Sequence, residues 1–87
     1  MRYEIVIKPT AEKGLDKIPR PLRRRIADAL EELRDDPRPE GVVKLARTED
    51  LWRIRVGDYR IVYEIDDQQA TVTILRVAHR KDVYRRG

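Results

Sequence analysis

Leu51-Trp-Arg-Ile-Arg-Val-Gly-Asp-Tyr-Arg-Ile-Val-Tyr-Glu-Ile65 alternates apolar and polar residues on both sides of a Gly-Asp pair. Two β-branched and aromatic runs parted by such a pair predict a hairpin, with strands at 51–56 and 59–65. A two-residue turn also fixes the register. Val56 then opposes Tyr59, Ile54 opposes Ile61, and Trp52 opposes Tyr63. All six are apolar or aromatic, so that face lies under the rest of the protein, with Trp52 in the core. The opposite face carries Arg53, Arg55, Arg60 and Val62, with Arg55 directly across from Arg60. Like charges opposite one another in a sheet cost several tenths of a kcal/mol. Such a cluster requires acidic neighbours (Asp58, Glu64 and Asp82 are at hand) or an anionic ligand.

Upstream of the hairpin, residues 37–49 hold two prolines and a glycine and read as a loop. Before them, Tyr3-Glu-Ile-Val-Ile-Lys8 is a short strand ending at Pro9. Thr10 caps a first helix whose stripe is Ala11, Leu15 and Ile18. Gly14 weakens that helix, and Pro19-Arg20-Pro21 ends it. Pro21 suits the first position of a second helix. There Leu22, Ile26, Ala29, Leu30 and Leu33 keep the period until Asp36-Pro37. Arg23-Arg24-Arg25 reads as a solvated side of this helix.

Downstream, 66–70 is a loop and Thr71–His79 the last strand. A five-residue loop pairs Leu75 with Ile61 and Val77 with Tyr59, burying Leu75, Val77 and His79. It turns Arg76, Ala78 and Arg80 towards the arginine face. A four-residue loop buries Ile74 and Arg76 instead, and an unpaired buried arginine disfavours it. The expected fold is α+β, β-α-α-β-β-β, with a helical hairpin on one face of a four-stranded, mainly antiparallel sheet. Residues 1–87 form a single domain.

Composition narrows the chemistry. Apolar residues are 40% and charged residues 41% of 87, so the core is small. Absence of cysteine excludes disulfides and sulfur-ligated zinc, and a lone His79 excludes a histidine-based metal site. No apolar run is long enough to span a membrane, which favours the cytoplasm. Fifteen of twenty basic residues are arginine, and the net charge is +4. Basic residues are spread along the chain, so any basic site must be assembled by the fold. Arg53, Arg55, Arg60 and Arg80 on one face, with the Tyr84 hydroxyl at its rim, suit phosphodiester chemistry. Such chemistry needs charge to hold the phosphate and a group to move protons.

The segments 51–56, Gly57-Asp-Tyr-Arg-Ile-Val-Tyr63 and His79-Arg-Lys-Asp-Val-Tyr84 together resemble the RelE/ParE superfamily of toxin–antitoxin toxins. The resemblance covers nearly the whole chain and is nearer the RelE branch. It implies a ribosome-dependent messenger RNA endonuclease that cuts the codon in the A site. The ribose 2′-hydroxyl attacks the adjacent phosphate, with neither metal nor cofactor. It also implies a cognate RelB-like antitoxin, with operator DNA bound through the toxin–antitoxin complex. By position, Arg60 matches the arginine that stabilises the phosphate, and Arg80 the one supporting phosphate and leaving oxygen. Tyr84 matches the C-terminal tyrosine of proton transfer or base stacking. Arg53 and Arg55 stand where lysines are common; an arginine stays protonated, so they hold RNA and are not general bases. His79 is a supporting candidate, as a hydrogen-bonded histidine or a proton carrier. The ParE branch would imply a DNA gyrase poison without chemistry of its own, and an inactive toxin relic is a third reading. The Arg80–Tyr84 pair favours the nuclease.

Overall fold

The computed structural model describes residues 2–45 and 50–83. Strand β1 (Glu4–Ile7) leads into helices α1 (Pro9–Asp16) and α2 (Arg20–Asp35). A short β2 (Val43–Lys44) precedes β3 (Leu51–Val56), β4 (Tyr59–Asp66), β5 (Thr71–His79) and a one-turn α3 (Arg80–Val83). The strands form one sheet in the order β1-β5-β4-β3-β2. β1 runs parallel to β5, and the other pairs are antiparallel. The α+β architecture is the expected one, but with five strands instead of four. The loop expected over 37–49 contains β2, whose Val43 and Lys44 pair with Arg53 and Trp52. A two-residue strand leaves no alternation to detect.

The hairpin has the expected register, Val56↔Tyr59 through Trp52↔Tyr63, with Arg55↔Arg60 on the other side. Gly57 has φ +59 and Asp58 does not share it, the glycine-first pattern of a II′ turn. The core joins Ile26, Leu30 and Leu33 of α2 to Ile54, Ile61, Tyr63 and Ile74 of the sheet. Trp52 packs at the margin of this core and is half-buried. Tyr63 is fully buried; its hydroxyl donates to the Pro37 carbonyl at 2.7 Å, and burial pushes the phenol above its ordinary pKa.

Helix α1 begins at Pro9, without a Thr10 cap: Lys8 is the capping position and makes no side-chain bond there. Proline's fixed φ suits the first helical residue. α2 likewise starts one residue early, at Arg20, which puts Pro21 second. Gly14 has a tertiary reason. β1 stops pairing with β5 at Ile74, and α1 takes over the strand's flank. A Cβ on Gly14 would collide with the Val77 carbonyl oxygen.

The last strand starts in the four-residue-loop register, the disfavoured alternative, and leaves it at a bulge. Asp66 pairs with Thr71 across a four-residue loop, and Tyr63 pairs with Ile74. A β-bulge between Val62 and Tyr63 then restores Val62↔Arg76, Ile61↔Val77 and Tyr59↔His79. Leu75 therefore does not oppose Ile61, nor Val77 Tyr59. The extra residue reverses the phase of the strand. Ile74 and Val77 are both buried, while Leu75, Arg76 and His79 are half-buried. The bulge resolves the conflict between a four-residue loop and a buried arginine.

Candidate functional site

The hairpin register delivers Arg53, Arg55 and Arg60 to the sheet face turned away from the helices. β5 continues that face, placing Arg76 beside Val62 and the small Ala78 beside Arg60. Arg55 is exposed, whereas Arg53 and Arg60 are half-buried. The three arginines border a groove of about 420 Å³ at the β3 edge, where the short β2 leaves Ile54 to Val56 without a strand. Glu32 of α2 and Glu40 of the loop before β2 form part of its opposite wall.

Arg60 is the informative member. Its Nη1 is shut off from solvent and has no hydrogen-bond partner among the described residues. A guanidinium presents five N–H donors, and a desolvated unpaired donor costs free energy. Arg60 also borders the groove beside two further arginines, an arrangement that suits an anion whose oxygens accept several donors at once. A phosphodiester is that kind of anion.

Arg80 sits elsewhere. It is the first residue of α3, and it is not part of the groove lining. Its backbone N–H donates to the Asp58 carbonyl at 2.7 Å, and its Nε lies 3.9 Å from Asp58 Oδ1. Arg80 thus flanks the hairpin turn, with its side chain 58% exposed and able to swing. Tyr84 lies outside the described residues. His79 accepts a hydrogen bond at Nδ1 from the Lys81 N–H (3.2 Å), and its ring meets Tyr59 edge-on at 5.4 Å.

Two contributors escaped the sequence reading. Glu32 and Glu40 reach the groove from elements whose placement depends on tertiary packing. Arg76 was placed on this face, yet its bond to the Asp82 carbonyl at 2.8 Å depends on where α3 turns. At the far end of the sheet, Arg38 grips Asp67 with two N–H groups (2.9 and 3.3 Å) while Tyr3 donates to the same carboxylate at 2.6 Å. Those bonds, from Arg38 above all, hold the Asp67 carboxyl below its ordinary pKa. The Arg38 guanidinium also stands 5.2 Å over the Trp52 ring. This is a structural clamp between two loops. Among the described residues no cluster of three or more histidines and carboxylates is arranged to hold a metal, and no helix is long and apolar enough to cross a membrane.

Comparison with known proteins places the chain in a family. Residues 5–84 match the family model described as ParE toxin of type II toxin–antitoxin system, parDE. Toxin RelG of Mycobacterium tuberculosis is 38% identical over 99% of this chain and 100% of its own length. Toxin RelE of the same organism is 35% identical, over 95% of this chain and 87% of its own. In the crystal structure of the archaeal RelE–RelB complex from Pyrococcus horikoshii, a chain 32% identical superposes with a TM-score of 0.82. The match covers 92% of this chain and 97% of that one.

Proposed function

Because this chain belongs to the RelE/ParE superfamily, as the toxin of a type II toxin–antitoxin system, we propose that it is an endoribonuclease that cuts messenger RNA on the ribosome without a metal. The observation that carries this reading is Arg60, which borders the groove together with Arg53 and Arg55. In the proposed reaction the ribose 2′-oxygen forms a bond to the adjacent phosphorus, and the bond to the 5′-oxygen breaks. The products are a 2′,3′-cyclic phosphate and a 5′-hydroxyl. Negative charge grows on the non-bridging oxygens, where fixed donors stabilise the transition state more than the ground state. Arg60 supplies that stabilisation. Arg53 and Arg55 grip the strand; as permanent cations they take no proton from the 2′-hydroxyl. Arg80, exposed at the turn, swings in to support the leaving oxygen, and Tyr84 moves a proton or stacks on a base.

The groove is small, and three arginines cannot by themselves align a 2′-hydroxyl with the phosphate. We assign that alignment to the ribosome, which holds message in the A site. A RelB-like antitoxin, complementary in charge, covers the arginine face, and operator DNA is bound by the toxin–antitoxin complex. The match to the ParE model supports a second reading, poisoning of DNA gyrase. Expression of the toxin alone, with primer extension on cellular messages, separates the two. Cuts inside translated codons, absent from untranslated RNA, are expected. DNA damage with intact messages would favour gyrase, and efficient cutting of naked RNA by purified protein would overturn ribosome dependence.

A further inference from the structure

We infer that His79 and Arg76 are positioning residues that fix the backbone of α3, the turn that presents Arg80 and continues towards Tyr84. This inference rests on the nuclease reading, because it gives α3 its importance. A four-residue helix has too few internal bonds to hold itself together, so external contacts decide its placement. Its leading N–H groups and trailing carbonyls need partners from outside. The first N–H, of Arg80, donates to the Asp58 carbonyl at 2.7 Å. The second, of Lys81, donates to His79 Nδ1 at 3.2 Å, with His79 in the capping position. At the other end, Arg76 Nη2 donates to the Asp82 carbonyl at 2.8 Å.

The cap specifies a chemical state. A backbone N–H can donate but not accept, so Nδ1 carries a lone pair and the imidazole is neutral with its proton on Nε2. Edge-on contact with Tyr59, at 5.4 Å and 82° between planes, holds the ring in that orientation. Nδ1 is thereby committed to the backbone and does not serve as a base towards RNA.

Three variants of the full toxin separate capping from packing. His79→Asn keeps a side-chain acceptor and does not titrate; His79→Phe keeps a ring against Tyr59 without an acceptor; His79→Ala removes both. Hydrogen exchange at the Lys81 amide, read by NMR, is expected to stay slow in His79→Asn. It should quicken about fivefold in His79→Phe and His79→Ala, the usual effect of a lost cap. On programmed ribosomes, His79→Phe and His79→Ala should lower kcat with KM unchanged, and His79→Asn should restore it. Wild-type protection and cleavage in His79→Phe, or failure of His79→Asn to rescue, would overturn the proposal. Exchange that follows the cap in a wild-type protein that cuts no RNA would overturn the nuclease reading, while the cap itself would stand.

Discussion

Arg55 and Arg60 face each other directly across the β3–β4 hairpin, on the side of the sheet turned away from the helical pair. Their juxtaposition costs stability, and the Nη1 of Arg60, without a partner among the described residues, adds to it. An anion in the groove relieves the repulsion. Arg55→Thr should therefore stabilise the fold by several tenths of a kcal/mol, from lost repulsion and a better strand residue, and so raise the thermal midpoint, while ribosome-dependent cleavage falls. A thermal melt paired with a cleavage assay checks this. A lower midpoint would mean that Arg55 is held by favourable contacts and not tolerated for its ligand.

Gly14 lets α1 press against β5 at the point where β1 ends. Gly14→Ala should destabilise by about 1–3 kcal/mol, although alanine is the better helix former, because the methyl meets the Val77 backbone oxygen. Urea denaturation measures it. Unchanged or increased stability would show that α1 can withdraw at no cost.

The Arg38–Asp67–Tyr3 clamp predicts a pH dependence of stability. Asp67 is held below its ordinary pKa in the folded state, so its contribution is present above the unfolded value. It is lost as pH falls through the lower folded value, a window below about pH 4. The side chain is 57% exposed and screened by water, which keeps the effect small. Asp67→Asn should flatten the acid limb of the stability curve and leave its slope near neutrality alone. An identical acid limb in the variant would remove Asp67 from the account.

How much of this was legible in the sequence differs from one element to the next. Trp52, Ile54, Val56, Tyr59, Ile61 and Tyr63 were all placed on one face by alternation and a Gly-Asp turn, and the structure pairs them so. That placement brings Arg53, Arg55 and Arg60 together from the pattern alone. β5 resisted because its bulge lets Ile74 and Val77 face the same way three residues apart, which no uniform register permits. Gly14 looked like a helix weakness, since its partner Val77 is sixty-three residues away in sequence. The groove's far wall, with Glu32 and Glu40, and the cap at His79 depend on how distant elements dock, and local pattern does not carry that.

The central claim is that Arg60 is aimed at the scissile phosphate. Single-turnover cleavage of message on programmed ribosomes by Arg60→Ala, with a thermal melt alongside, tests it most directly. Loss of one preorganised donor should slow cleavage about a hundred- to a thousandfold, roughly 2.7–4 kcal/mol of barrier, with the melt at or above the wild-type midpoint. Cleavage at the wild-type rate by a folded Arg60→Ala protein would contradict the account.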